Sequence, residues 1–440
     1  MSEPILDNLF SEVCGKYLEE QGGFDTRGEL GIFSTAAVVW LGIQQRLKGG
    51  TLQESLGAFV EKIKSQESVL LVSRPGKKFR DGEISLATGG LSRARDRLPE
   101  SLVEELYETA TKNIEKKLTT TRFGRPVYIM DGQVVTIART DSNLKAFSST
   151  GNGEGELHFP RIRVVTAHAI ATGVATKIAI GSWKQSEIAL GREVLEQLPK
   201  GSLLVMDRGF HRPTFLNWCK ELNIDVLVRL KDPAGNKLMG GCDESEGEAR
   251  VNWESKQEDK SKILLQGRVI KYTSNQNGFR SNLFHFFTTA DELTVQEVSE
   301  LYRQRVQVEV CIRHLKQTLK LFFIGAKKGS NVRKEILIAY LTFNLLRAVM
   351  EDTANATGID VERMSFKATI TLCKAYAPSF AKASTAKEQQ ALTEQFRKHM
   401  SQTKLPLRKK ERSYPREIKL PRRKYTNAAI VKSVNLNEGK

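Results

Sequence analysis

Two stretches of the chain follow one plan, a run of four apolar residues that stops at an aspartate beside a glycine. They are Val127-Tyr128-Ile129-Met130-Asp131-Gly132 and Leu203-Leu204-Val205-Met206-Asp207-Arg208-Gly209. An apolar run of this length without polar alternation reads as a strand covered on both faces, which calls for a sheet between helices. The surrounding texture agrees. Short β-branched runs at Val134–Ile137, Ile162–Ala167 and Val174–Ile180 accompany the first segment, and strand–helix alternation accompanies the second, with helices over Gln185–Leu198 and Pro213–Leu222 and a strand at Val226–Val228. Strands first and alternation afterwards predict an α/β mixed sheet flanked by helices. A carboxylate at a strand end is held rigidly just outside the sheet edge, where a ligand or ion can sit. A turn aspartate looks the same, and it is the matched pair that lifts these two above that reading.

A third acidic residue lies on the long helix expected after Thr294, in Leu301-Tyr302-Arg303-Gln304-Arg305-Val306-Gln307-Val308-Glu309 and on to Lys316. At about 100° per residue, Tyr302, Arg305, Glu309 and Lys316 share a stripe roughly 60° wide. Leu301, Val308, Ile312, Leu315 and Leu319 form the adjoining apolar face, so the stripe borders the seam that packs inward and Glu309 is expected half-buried. Gln307, His314 and Thr318 are expected on the solvated side. An i,i+4 ion pair accounts for Arg305 with Glu309 but not for Tyr302 and Lys316 on the same stripe.

The first 120 residues read as helical, with a capping-box pattern at Thr51 and Glu54. Within them, Ile84–Leu98 gives a short helix signal, a Gly89-Gly90 break, and a helix bearing Arg93, Arg95 and Arg97. This layout fits a helix-turn-helix offering its basic helix to DNA, and equally two surface helices joined by a glycine turn. Residues 231–282 interrupt the α/β rhythm and read as a β-rich insertion between Val226–Val228 and Leu283–Phe287. Lys404–Lys424 carries ten basic residues against two acidic, with three prolines that break any continuous helix. Such a run is a solvated extension that strengthens binding to a phosphate backbone.

The balance of 68 Lys and Arg against 51 Asp and Glu, a formal +17, favours a polyanionic partner, nucleic acid first and an anionic membrane surface second. Five scattered cysteines without a C-x-x-C pair suggest neither a disulfide framework nor a zinc site. The N-terminus lacks a signal-peptide pattern and no run reaches membrane-span length, so a cytoplasmic protein is expected. His158, His168 and His211 lie near the aspartate strands; their spacing fits no zinc pattern, and core or surface histidines are the simpler reading.

The Y-x2-R-x3-E-x6-K spacing of Tyr302, Arg305, Glu309 and Lys316 resembles the signature of bacterial insertion-sequence DDE transposases of the IS-four type. Asp131-Gly132 and Asp207-Arg208-Gly209-Phe210 resemble that family's two aspartate motifs. The order of the acidic residues around a β-rich insertion is also similar, as are Val332-Arg333-Lys334-Glu335 and Asn344-Leu345-Leu346-Arg347 in the helices that follow. Val306 stands where family members commonly carry Trp, which implies looser packing there. The resemblance spans roughly residues 30–425 and implies a ribonuclease-H-like catalytic domain in two parts, 121–230 and 283–350. Around it would lie a helical DNA-binding domain over 1–120, the insertion over 231–282, and a helical, basic region over 351–440.

Carried over by position, Asp131, Asp207 and Glu309 would bind two divalent ions, Mg²⁺ or Mn²⁺. Arg305 and Lys316 would grip phosphate, and Tyr302 and Arg208 would contact the DNA backbone. The reaction implied is cleavage at the element's terminal inverted repeats and strand transfer into target DNA, by a homodimer at a nucleoid-associated location. Trp253 or Phe284 in or beside the insertion would stack on a flipped base, unless they are core aromatics. A ribonuclease-H-like nuclease that does not join strands, and a DNA-binding regulator that has lost catalysis, remain the alternatives.

Overall fold

In the computed structural model the two aspartate-bearing runs are neighbouring, parallel strands. The structure describes residues 4–25, 32–49, 51–64, 85–118, 121–122, 124–148, 159–240, 247–256, 262–274 and 282–406. His158, Cys242 and the basic run beyond Pro406 lie outside them.

The chain opens with helices α1 (Pro4–Glu20), α2 (Thr35–Lys48), α3 (Leu52–Lys64), α4 (Gly89–Arg97) and α5 (Glu100–Lys117). The capping box at Thr51 and Glu54 forms as read, with each backbone N–H bonded to the other residue's side chain. A two-residue strand β1 (Thr121–Arg122) then leads into β2 (Arg125–Ile137), α6 (Asp141–Phe147), β3 (Arg161–Ala169), β4 (Ala175–Ser182), α7 (Glu187–Leu195), β5 (Leu203–Met206), α8 (Pro213–Glu221), β6 (Asp225–Arg229) and α9 (Asp232–Leu238). The insertion contributes β7 (Gly247–Lys256) and β8 (Lys262–Ser274), and β9 (Asn282–Thr288) returns the chain to α10 (Val295–Arg313) and β10 (Phe323–Ile324). The 29-residue α11 (Gly329–Thr357), α12 (Phe366–Lys382) and α13 (Ala386–Gln402) follow.

The sheet order is β4-β3-β2-β5-β6-β9-β8-β7. β4, β3 and β2 are antiparallel, and β5 and β6 continue parallel to β2. Three antiparallel strands joined to two parallel ones, with helices on both faces, make the ribonuclease-H-like mixed sheet. The insertion strands extend this same sheet as a meander: β9 pairs antiparallel with β6, and β8 and β7 are added beyond it.

Strand alternation sends β2 side chains to opposite faces. Tyr128 and Met130 pack with Leu190 and Val194 of α7 and Phe215 of α8, while Val127 and Ile129 pack with Leu301 and Val308 of α10. Farther along β2, Val135 and Ile137 join a third cluster that takes in α1, α2, α3, α5, α11, α12 and α13. The N-terminal helices and the helices after the acidic α10 motif therefore share one core.

α11 is the brace of this assembly. Asn344 accepts a hydrogen bond from the Ala175 amide and donates to the Ala175 carbonyl, and Arg347 donates to the Thr172 carbonyl. Gly173 lies at that turn with φ +69°, and a Cβ on it would stand 2.8 Å from the Arg347 guanidinium, so glycine is required on both counts. About three turns earlier, Lys334 donates to the Arg95 and Leu98 carbonyls at the end of α4, the favourable end for a cation, and Glu335 pairs with both Arg46 and Arg95.

These contacts revise the reading of Ile84–Leu98. Gly89-Gly90 form the first turn of α4 rather than a break between two helices, and Gly90 leaves room for the Phe33 ring. Arg95 turns inward to Glu335, leaving Arg93 and Arg97 as the exposed arginines of that helix. Glu335→Ala would leave two largely buried guanidinium groups without their carboxylate. It is expected to lower unfolding stability by about 3–5 kcal/mol. An unchanged urea midpoint would show that the pair does not hold α4 against α11.

Candidate active site

The site is made by a strand that ends early. β5 pairs with β2 from Val127 to Met130 and stops at Met206, whereas β10 joins the same edge of β2 only at Thr136. The amides of Thr136 and Ala138 donate across this edge to the Phe322 and Ile324 carbonyls. By alternation the Gly132 amide faces the same edge, in the stretch between β5 and β10. It donates instead to Oδ1 of Asp131, 2.8 Å away. The Asp131 carboxylate is thereby folded over the open edge. β2 does not stop at Asp131, as the apolar run suggests; it continues to Ile137, and it is the neighbouring strand that ends.

Asp207 follows β5 directly, at the mouth of the same gap. Its Oδ1 accepts from the Gly209 amide at 2.7 Å, and the Phe210 amide donates to its carbonyl, so a tight turn fixes the carboxylate. Arg208 is exposed beside it, and its carbonyl receives the His211 Nδ1 proton at 2.6 Å. His211 is thus a brace of this turn.

From the opposite side α10 closes over the gap. Its start is set by a capping box between Thr294 and Glu297, which aligns the helix so that Tyr302, Arg305 and Glu309 meet the strand edge. Arg305 Nη1 lies 3.3 Å from Oδ2 of Asp131, and Nη2 pairs with Glu309. The guanidinium bridges two carboxylates from two elements. Its side chain and that of Asp131 are 15% and 18% exposed, whereas Glu309 is 48% exposed, matching the half-buried setting expected for it. The Tyr302 ring packs against Phe286 of β9, with centroids 4.7 Å apart and planes tilted by 47°, and the Arg305 guanidinium sits 5.9 Å from the Tyr302 ring.

Lys316 reaches the same field by a different backbone. α10 ends at Arg313 and His314–Thr318 form a wider π turn, so the ideal-helix count does not place Lys316. Burial lowers its pKa, and attraction to Asp131 opposes that shift. Two other readings of this helix change as well. His314 stacks at 4.5 Å on Phe366 rather than facing solvent, and burial lowers its pKa to about 4. Val306 is 54% exposed, so its departure from Trp concerns the surface and not internal packing.

Beneath the site lies a buried polar layer. Gln133 donates to the Tyr340 hydroxyl at 2.5 Å, and His168 bonds the Gly173 carbonyl and the Thr166 hydroxyl, each at 3.1 Å. With Nδ1 donating to the carbonyl, a neutral ring accepts at Nε2, and burial lowers the His168 pKa to about 4. His168 is a core histidine, not a ligand. Trp253 packs at 5.5 Å against Phe287 inside the α7–α8 cluster, and Phe284 stacks on Phe286 under the Arg229 guanidinium. The four described cysteines are buried, and none of them is in a disulfide.

Glu187, in the first turn of α7, is the residue that sequence reasoning misses. A Cβ built on Gly132 would stand 2.0 Å from Glu187 Oε1, so this carboxylate rests on the backbone beside Asp131. Its pKa is raised by burial and then by Asp131 and Asp207. In the sequence, Ser186-Glu187 shows only an ordinary helix start.

Among the described residues no three acidic, histidine or cysteine side chains are drawn close enough to chelate a metal as they stand. The donor set nevertheless suits a hard cation, since two of its carboxylates already share a positive group in Arg305. Burial, followed by the repulsion of Asp207 and Glu309, pushes the Asp131 pKa up to about 6, against the lowering influence of Gly132 N–H and Arg305.

Comparison with known proteins gives the family. The family model of the transposase DDE domain matches residues 122–345. A putative transposase for insertion sequence element IS4SA of Synechocystis is 24% identical over 294 residues, 64% of this chain and 77% of its own length. The transposase InsG for insertion sequence element IS4 of Escherichia coli is 24% identical over 359 residues, 78% of this chain and 79% of its own. A cryo-electron-microscopy structure of a piggyBac transposase synaptic complex with hairpin DNA matches with TM-score 0.42 and 12% identity over 91% of this chain and 84% of that one. The chain belongs to the DDE transposases, and within them to the IS4 type.

The raised Asp131 pKa has a measurable sign. A neutral Asp131 favours the folded state, so this contribution is present below about pH 3.8 and lost as pH rises through about 6. In metal-free buffer, Asp131→Asn is therefore expected to exceed the parent in stability above pH 6, by up to about 3 kcal/mol. The two should converge at the acid end of the range. A difference in urea midpoint that does not vary with pH would contradict this electrostatic account.

Proposed function

We propose that this transposase cleaves double-stranded DNA at the terminal inverted repeats of an insertion sequence and joins the ends to target DNA. The observation that carries this reading is the meeting of Asp131, Asp207, Arg305 and Glu309 at the open edge of β2, with Lys316 in the same field. Asp131, Asp207 and Glu309 are the side chains that would hold a pair of divalent cations, Mg²⁺ or Mn²⁺, through hard carboxylate oxygens. When bound, such ions activate a water or a DNA 3′-hydroxyl for in-line attack on phosphorus and stabilise the leaving oxygen.

The protein's own groups account for positioning. Arg305 presents a planar fork suited to a phosphate's two oxygens, and Lys316 supplies a point charge beyond it. Tyr302, fixed against Phe286, offers its hydroxyl to the DNA backbone, and exposed Arg208 adds a contact next to Asp207. Arg93 and Arg97 extend the basic surface, whereas Arg95 serves the fold through Glu335. The formal charge of +17 favours such a polyanionic partner. Because an element has two ends, the assembly acting on them is a homodimer.

Incubating the protein with labelled inverted-repeat DNA, a target plasmid and Mg²⁺ is expected to give strand-joined product; cleavage without joining would favour a nuclease. Asp131→Ala, Asp207→Ala and Glu309→Ala should each abolish cleavage and leave binding to the repeat DNA largely intact, as read by gel shift. A variant that still cleaves would lose its place in the metal site. Lys316→Ala should weaken binding and reduce its salt dependence by about one phosphate contact. An unchanged salt slope would remove Lys316 from the phosphate-binding set.

A further inference from the structure

The Asp-Gly step in β2 is approached from both faces of the sheet. Asp131 faces α10 with Arg305 and Glu309, and Gly132 faces α7. A side chain at position 132 would have to occupy the space held by Glu187, because an ideal Cβ there falls 2.0 Å from its Oε1 and 2.8 Å from its Cδ. The glycine therefore admits a carboxylate to the open edge of β2.

Among the described residues no hydrogen bond or ion pair holds that carboxylate. Arg163 acts on Glu187 only through its charge, since its guanidinium donates to the Gln185 carbonyl at 2.6 Å and lies 4.8 Å from the Trp183 ring centroid. Position is nevertheless well defined. Ser186 caps α7 by accepting from the Ala189 amide at 3.0 Å, and Leu190, Val194 and Leu195 anchor the helix in the cluster that contains Met130. A half-buried carboxylate held rigidly beside two others, with no hydrogen bond or ion pair among the described residues, is a group set for a ligand that brings positive charge.

We propose that Glu187 is a fourth acidic group of this site, supplying a carboxylate from the α7 face to a divalent cation held by Asp131 and Asp207. The inference rests on the metal-dependent reading given above. It gives the Asp131-Gly132 motif a division of labour in which the aspartate is a ligand and the glycine makes room for another.

The test is direct Mn²⁺ binding to the full chain without DNA, followed by electron paramagnetic resonance of the free ion, with thermal melts to verify folding. Glu187→Gln is nearly isosteric and is expected to weaken Mn²⁺ binding about tenfold or more. Gly132→Ala should give a similar loss by displacing the carboxylate, and the double variant should be no weaker than the poorer single one. Asp131→Asn serves as the reference. If it weakens binding while Glu187→Gln does not, Glu187 is not part of the site and the three-carboxylate reading stands. If Asp131→Asn also leaves Mn²⁺ affinity unchanged, that reading falls and this inference with it. Additive losses in the double variant would overturn the steric link between Gly132 and Glu187.

Discussion

The site depends on one constraint: β5 is shorter than the strand beside it. Were β5 to continue past Met206, the Gly132 amide would enter a ladder and the Asp131 carboxylate would lose the donor that folds it over the edge. The chain instead turns at Asp207-Arg208-Gly209, so the element that opens the gap also furnishes its second carboxylate. Sheet topology thus sets both acidic groups at one opening before any long-range ion pair forms. The edge is closed again at Thr136 by β10, which limits the opening to a short stretch of backbone.

Mutual repulsion among carboxylates in a partly buried gap would destabilise the fold without a positive group, and α10 brings one. Arg305 is placed by helix geometry one turn before Glu309 and across from Asp131, so a single guanidinium serves both. Its own orientation is supported by Tyr302, which is fixed in turn by Phe286 of the strand that follows the insertion. The insertion's return strand therefore reaches the site through an aromatic contact, and its meander extends the catalytic sheet rather than hanging from it. On the far side, α11 secures the β3–β4 turn through Asn344 and Arg347 and the N-terminal helices through Lys334 and Glu335. The motifs in this helix that accompany the acidic signature are, in this chain, clamps.

What was legible in the sequence was local. Four-residue apolar runs announce buried strands, the long helix expected after Thr294 begins there as α10, and the Tyr302, Arg305 and Glu309 spacing survives because it lies within regular helix. The features that escaped depend on contacts distant in sequence. Nothing near Arg95 reveals that Glu335 will face it, and Gly132 looks like a turn glycine until Glu187 is seen resting against it. The π turn that carries Lys316 has no mark in the sequence, and regular helical spacing does not extend through it.

That π turn also explains why the two basic groups of the signature are not equivalent. Arg305 lies inside regular α-helix, where its height and angle are fixed, and it uses a rigid fork to join two carboxylates at once. A lysine there would offer one charge centre on a flexible stem and leave one of the two acids without its hydrogen bond. Lys316 sits beyond the helix end, where the widened turn gives up regular spacing. A long side chain with a single ammonium tolerates that change of register, since a point charge needs distance rather than orientation. The order of the two residues along the chain follows from the backbone beneath them, with orientation-demanding chemistry on the rigid helix and distance-dependent chemistry after it.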